Sequence, residues 1–334
     1  MADGKWMNGL TADAPLTDAA RRVLSVRLQV VGEVLPRAVQ EADGDPELVH
    51  QLRVSTRRAD AALRIFGPCL RRKVFKSARK RLRRLRRAAG AARDWDVFLI
   101  GLAERRATQP EKEQPGLTFL FGYGHGQRTA AQVELEAAGL EEHAGYDAFL
   151  HETVAAVGAP ADLPHNAVVA DLGRPLLLEL ARELEWKATG DLGDYAHLHQ
   201  VRIAGKRLRY AMEVFADCFS LSFRETLYPR VEEMQEILGR ANDSHVAEGR
   251  LTELKRRLRR GWAGEWKRLQ PGVEGLLRFH QRRLPQERKR FLKWWEEWRK
   301  TGQPELAAML GGEGAAPEAC YDETTKAGAL DLLE

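Results

Sequence analysis

Apolar residues recur every three or four positions along most of this chain, and alternating strand-like patterns are scarce. That spacing is the stripe of an amphipathic helix. It predicts helices over residues 17–42, 46–66, 71–89, 94–107 and 118–138, then a second set over 174–186, 194–215, 228–238 and 244–260, and so an all-α fold. Asp45-Pro46 reads as a helix start and Gly67-Pro68 as a stop. Asp94 and Asp243 read as caps, each accepting backbone N–H bonds at the start of the following helix. Residues 157–175 carry three prolines and scattered glycines, which mark a domain boundary. Residues 301–334 are rich in Gly, Ala and Glu without a sustained period, and read as a disordered tail.

The same polar pattern occurs twice. VHQLRVSTRRADAALRIFGPCL at 49–70 aligns without a gap to LHQVRIAGKRLRYAMEVFADCF at 198–219, 149 positions on, and the register holds downstream, where GAARDWDV at 90–97 matches GRANDSHV at 239–246. A period this long implies two copies of a domain-sized unit rather than a solenoid array. On a helical projection His50, Arg53, Arg57 and Arg64 fall within roughly 60° of arc, and Leu52, Ala59, Leu63 and Phe66 occupy the opposite side. The second copy separates His199, Arg202, Lys206 and Arg209 from Val201, Leu208, Met212 and Phe215 in the same way. Like charges three and four apart on a helix repel by a few tenths of a kcal/mol per pair, roughly, and a bound polyanion removes that cost.

Charge is concentrated rather than spread. Between His50 and Val97 there are 16 Lys or Arg against three acids, a net of +13, whereas the whole chain carries +5. In the second predicted helix of this block, Val74, Ala78, Leu82 and Leu85 form one side and Arg72, Lys76, Arg79, Arg83 and Arg86 the other. Such a block is the footprint of a polyanion-binding surface, and arginine's planar fork suits phosphate oxygens.

The length of 334 residues suits two domains, and 44% hydrophobic with 30% charged residues is a globular composition. No apolar run approaches the roughly 18 residues of a membrane helix. The N-terminus shows no signal peptide, so a cytoplasmic address is the expectation. Three cysteines without close spacing read as packing residues.

The segment His-x-x-Arg-(Val/Ile)-x-x-(Arg/Lys)-Arg, present at His50 and at His199 and followed each time by Gly-x-x-(Arg/Asn)-Asp, resembles the CHAD domain, the conserved histidine α-helical domain. KRLRY at 206–210 is a specific piece of the likeness, which spans roughly residues 15–300. It implies two pseudo-symmetric four-helix bundles, here over 15–160 and 170–300, with a basic groove or pore between them. It also implies binding of inorganic polyphosphate and, in bacteria, association with polyphosphate granules. Carried over position by position, the phosphate contacts are His50, Arg53, Arg57, Arg58, His199, Arg202, Lys206, Arg207 and Arg209. Arg64, Arg72, Lys76, Arg79, Arg83 and Arg86 join them on the charge-face argument. The second half departs from the first, for the block after Cys218 carries only Arg224, Arg230 and Arg240 as its counterparts.

Relatives fused to a CYTH-type triphosphate enzyme carry a Glu-x-Glu-x-Lys strand, and this chain has none; nor has it a P-loop, HExxH or GxSxG segment. The expectation is noncatalytic binding, without a cofactor. A metal-dependent phosphate-processing enzyme is one alternative, with His197, His199, His245, Asp94, Asp96 and Asp243 as the potential ligands. Nucleic acid is the rival polyanion, since Trp262, Trp266, Trp294, Trp295 and Trp298 are interleaved with basic residues. Trp294 and Trp298, four apart, read more simply as one packed helix face. A third class is a protein adaptor docking a partner through the Trp-rich C-terminal part.

Overall fold

The structure, a computed structural model, describes residues 4–42 and 44–311. Its described residues are helical almost throughout: α1 Leu16–Gln40, α2 Pro46–Ile65, α3 Arg72–Arg106, α4 Gln114–His143, α5 Tyr146–Ala155, α6 Val169–Ala188, α7 Tyr195–Phe215, α8 Tyr228–Gly261, α9 Ala263–Glu297 and α10 Gln303–Met309. No strand occurs among them, only isolated bridges at Pro15–Val168 and Leu70–Val157. Local chemistry sets the starts of the two repeated helices. The Asp45 side chain accepts from Glu47 N at 3.0 Å with Pro46 in the first turn, and Asp194 caps Ala196 N and His197 N.

Two predicted breaks are absent. The stretches 71–89 and 94–107 form the single helix α3, and 228–238 and 244–260 the single helix α8. Gly90 is not a stop. It is buried in mid-helix, and a Cβ there would lie 2.7 Å from Arg53 Nη1, so its lack of a side chain makes room for that arginine. In α8 the buried row Val231, Met234, Leu238, Ala241 carries on to Ala247, Leu251 and Leu254 across Gly239. That continuous burial outweighs glycine's helix cost of about 1 kcal/mol. Asp94 and Asp243 are therefore interior helix residues and not caps, a correction that matters at the site.

Helices α1 to α4 pack each on the next, with α4 returning to α1, and α6 to α9 pack in chain order. The closest joins between these sets are at two places. Helix α2 meets α7, where the fully buried Phe66 and Phe215 rings lie 6.5 Å apart, each contributing about 2–3 kcal/mol of burial. Helix α4 crosses α9 at Gly116 and Gly272, so closely that a Cβ on Gly272 would come within 2.8 Å of Gly116 Cα. The main hydrophobic cluster runs from Met7 to Leu310 across residues 157–175, and a second one at the far end is shared by α3, α4, α8 and α9.

Residues 301 onward do not all behave as the tail expected of them. After a π-turn at Trp298–Gly302, α10 packs through the buried Leu306 and Leu310. Residues 312–334 of that expected tail lie outside the described residues. The C-terminal tryptophans pack as their four-residue spacing suggested: Trp294, Trp295 and Trp298 are buried, and Trp294 Nε1 donates to the Arg230 carbonyl at 3.0 Å. Cys69 is buried and Cys218 partly so, and burial pushes their thiols up to about 11 and about 12. No helix among the described residues is long and apolar enough to cross a membrane.

Candidate functional site

Helices α2, α3 and α7 line an open cavity of about 600 Å³. Its cations are Arg53, Arg57 and Arg64 from α2, Arg83, Arg86 and Arg87 from α3, and Lys206 and Arg207 from α7. Against these eight stand two carboxylates, Asp60 and Asp94; Ala61, Gly90, Ala91, Ile203 and Tyr210 complete the wall. The placement follows from amphipathicity: the apolar sides of α2 and α7 are buried, which turns both basic stripes toward the gap between them.

Asp60 organises one side of the cavity. Its carboxylate, 7% exposed, accepts from Arg79 Nε at 3.0 Å, Arg64 Nε at 3.2 Å and Arg86 Nη1 at 3.0 Å. Burial works to raise its pKa, but Arg64, Arg86 and Arg79 together hold it below the ordinary carboxylate range. Three guanidiniums on one buried anion leave an excess of positive charge facing the opening. The same crowding acts on α7. Burial, then Arg57, Arg202 and Arg53, pushes the Lys206 ammonium down to about 5. Arg53 and Arg64 are pushed down to about 10, each chiefly by burial.

The two segments that recur 149 positions apart meet each other in space. Arg53 of the first helical repeat lies 3.4 Å from Asp94 of the Gly-x-x-Arg-Asp segment. Arg202 and Asp243 interact likewise: burial lowers the arginine, and Asp243 opposes that shift. Burial raises Asp243, with Arg202 working against it and Asp94 adding to it. The pair Asp94 and Asp243 thus forms an acidic floor behind the cationic cavity, and Arg250 reaches Asp94 from α8 at 3.9 Å.

The other expected contacts lie elsewhere. Arg58 points away from the cavity and forms an ion pair with the fully buried Glu213 at 2.7 Å. Arg209 lies 3.5 Å from Glu213 and 3.6 Å from Glu232. Arg79 is buried on Asp60. Arg72 and Lys76 are exposed on the first turns of α3. They share the face of Arg83 but stand roughly 10–16 Å further along the axis at 1.5 Å per residue. Arg207 lines the cavity while bonding Glu183 at 2.8 Å.

His50 faces a separate cavity with Arg27, Glu47, Ser55 and Arg58. Burial, then Arg93, lowers its pKa; burial, then Arg202 and Lys206, lowers that of His199, which is hydrogen-bonded to Asn242. Both imidazoles are therefore neutral at pH 7. The potential metal ligands are dispersed. His197 Nε2 bonds the Lys187 carbonyl at 2.6 Å, His245 stacks on Tyr195, and Asp96 accepts from Arg128 at 2.6 Å. No group of three or more His, Cys, Asp or Glu placed to hold a metal occurs among the described residues.

Sequence reasoning missed Arg87, which lies four residues beyond Arg83 on the same helical face, and the organising role of Asp60. It also left unread a charge inversion between the repeats. Asp60 and Arg64 correspond to Arg209 and Glu213, and the i,i+4 ion pair is kept at 3.2 Å and 3.5 Å with its polarity reversed. Arg83, Arg86 and Arg87 correspond to Glu232, Gln235 and Glu236. Extending the 149-residue offset through α8 reveals both.

Fold and charge arrangement define an all-helical protein whose surplus cations line a cavity between helices. The chain belongs to the CHAD domain family, whose model matches residues 27–252. It is similar to the crystal structure of the CHAD domain from the plant Ricinus communis, with TM-score 0.62 and 25% identity over 93% of this chain and 96% of that one. It also resembles PptA from Streptomyces chartreusis, with TM-score 0.61 and 18% identity over 85% and 100%, a likeness of fold. No curated protein matches the chain in sequence.

Proposed function

We propose that the protein binds inorganic polyphosphate without catalysis, in the cavity between α2, α3 and α7, which serves as the basic groove between two pseudo-symmetric four-helix bundles. In this reading α1 to α4 form one bundle and α6 to α9 the other. The observation that carries it is the gathering of eight basic side chains against two carboxylates around one open cavity, where burial and then Arg57, Arg202 and Arg53 push Lys206 down to about 5. A polyanion threading the cavity supplies the missing negative charge and releases its own counterions. Membership of the CHAD family supports phosphate polymers over other anions.

The two halves contribute unequally. The first supplies six of the eight cations, and α8 carries Glu232 and Glu236 where α3 carries Arg83 and Arg87. Arg53, Arg57, Arg64, Arg83, Arg86, Arg87, Lys206 and Arg207 make the contacts. Arg202 lies just behind them, while Arg58, Arg79 and Arg209 hold the scaffold. Nucleic acid is the weaker ligand, because Trp294, Trp295 and Trp298 are buried in packing and the cavity wall offers one aromatic ring, Tyr210. An association with polyphosphate granules follows from the same binding.

The test is a competitive titration with long-chain polyphosphate, charge-matched single- and double-stranded DNA and heparin at about 150 mM salt, physiological ionic strength, while released orthophosphate is monitored. Selective polyphosphate binding without release is expected. Equal affinity for all four polyanions reduces the cavity to a generic basic surface, and steady orthophosphate release refutes noncatalytic binding.

A further inference from the structure

Helix α4 is apolar on two sides. Its inner face, with Leu117, Leu120, Ala131 and Leu135, is buried where the helix packs on α1, α3 and α9. Its outward row, Gly122, Gly126, Ala130, Val133, Ala137 and Leu140, is exposed and carries no polar side chain over about five turns. Val133 and Leu140 on that row are 59% and 62% exposed. A surface helix ordinarily turns a charged face to water, and a helix apolar all round is covered. Helix α4 is therefore short of one neighbour.

The glycines on its two sides differ in the same sense. A Cβ at Gly124 would lie 2.9 Å from Leu99 Cδ2, and one at Gly139 would strike Val39, so packing inside the chain requires both to be bare. At Gly122 and Gly126 a Cβ meets nothing within 4 Å. Glycine is the poorest helix former after proline, and nothing in this chain uses the space these two leave. A bare helix surface admits the close approach of a second helix.

Bulk is graded along the row, from the glycines at its N-terminal end to Val133 and Leu140 toward the other. Two α4 helices running in the same direction would set Leu140 on Leu140 and glycine on glycine. An antiparallel pair related by a twofold axis between Ala130 and Ala131 sets Leu140 over Gly122, and Val133 beside Thr129, of the second copy. On a helical projection His125 and Glu136 border the row on one side, and Gln127 and Glu134 on the other. The same axis brings His125 opposite Glu136 and Gln127 opposite Glu134, each pair twice. Trp262, 56% exposed with its ring 6.0 Å from that of Phe119, extends the patch toward Leu140 of the second copy. An anionic lipid surface is disfavoured as the occupant, because the bordering charges include Glu134, Glu136 and Glu141.

We propose that α4 packs antiparallel on the α4 of a second copy of this chain, forming a twofold-symmetric dimer. The row from Gly122 to Leu140 is about 27 Å long and a helix about 10–12 Å wide, which gives roughly 300 Å² of face per copy before the flanks and Trp262 are added. That is the small end of specific interfaces, and it sets a dissociation constant on the order of 10 μM. Among the described residues no part of α4 lines the cationic cavity, so the dimer is independent of polyphosphate binding.

Sedimentation velocity of the full chain between about 1 and 300 μM, a range that brackets this constant, is the test. A monomer–dimer equilibrium is expected. Gly122→Gln together with Gly126→Gln fills both gaps with solvated side chains that displace no neighbour, so dimerisation should weaken by at least about 30-fold with no fall in melting temperature. Leu221→Gln, at an apolar side chain 67% exposed outside α4, is the control and should leave the equilibrium unchanged. His125→Glu should weaken it by about tenfold, through like charges set opposite Glu136, and the further change Glu136→Lys should restore it. A monomer throughout the range overturns the proposal. So do an undiminished dimer in the double glutamine variant, loss of the dimer in Leu221→Gln, and failure of Glu136→Lys to rescue His125→Glu.

Discussion

Replacing Asp60 by Asn removes one negative charge from beneath three guanidiniums and changes almost no volume. The carboxylate is 7% exposed and receives Arg64, Arg79 and Arg86 at 3.0–3.2 Å. Each charge-assisted bond taken alone is worth about 1.5–3 kcal/mol, but they share one acceptor and do not add. Loss of one partner of a buried ion pair costs about 3–5 kcal/mol, and that is the expected loss for Asp60→Asn. At roughly 2 °C per kcal/mol in a chain of this size, the melting temperature should fall by about 6–10 °C. Asp18→Asn, which removes an exposed pair with Arg21, should cost under about 1 kcal/mol. Because the folded carboxyl is held below its unfolded value, its contribution is fully present above the unfolded pKa of about 3.9 and is lost as pH falls through the lower folded value. The gap between wild type and Asp60→Asn should therefore be constant near neutrality and close only in acid. Polyphosphate should raise the melting temperature of Asp60→Asn more than that of wild type, since the ligand replaces the missing anion. Thermal unfolding with and without polyphosphate measures all of this. A loss below about 1 kcal/mol, or equal stabilisation of both proteins by polyphosphate, refutes the view that a buried carboxylate tethers surplus cations for a ligand.

Further outcomes follow from the same geometry. Lys206 is pushed down to about 5 in the free protein, and a polyanion favours its charged form, so binding near pH 7.5 should take up protons and tighten as pH falls toward 6. Calorimetry in buffers of different ionisation enthalpy reads that uptake, and its absence contradicts the placement of Lys206 against the ligand. By the same sign, the unfolded chain holds more protons on this lysine between about pH 5 and 10, so its contribution to the stability of the free protein rises with pH across that window. Reversing Arg72 and Lys76 together to Glu, on the turns of α3 beyond the cavity, should weaken polyphosphate binding by less than about threefold, against roughly 100-fold for Arg57 with Lys206, because only the second pair lines the cavity.

The helices and the basic face of α2 and α7 were legible because apolar periodicity survives folding unchanged: the residues on the apolar stripe, from Leu52 to Phe66 and Val201 to Phe215, are the ones buried. The breaks expected near Gly90 and Gly239 were not, since a glycine reads as punctuation whether it ends a helix or admits a neighbour such as Arg53. The face of α3 was legible, but its reach was not: periodicity places Arg72, Lys76 and Arg83 on one side without saying where α7 crosses. Ion-pair assignment was the least accessible part. Arg58 finds Glu213 across 155 positions of chain, and nothing local in either segment announces that pairing.

The central claim is that polyphosphate lies against the cations between α2, α3 and α7, and the salt dependence of its affinity tests this most directly. Among the described residues no acidic group forms an ion pair with Arg57 or Arg87, and both line the cavity. With four to eight cations engaged, a plot of log affinity against log salt should fall with a slope of about −3 to −6, taking about −0.7 per contact as for single strands. Neutralising Arg57 and Arg87 to Ala should make that slope shallower by about 1.4 and weaken binding at every salt concentration. An identical slope and affinity in the double variant would contradict the account, because the ligand would then be held elsewhere on the protein.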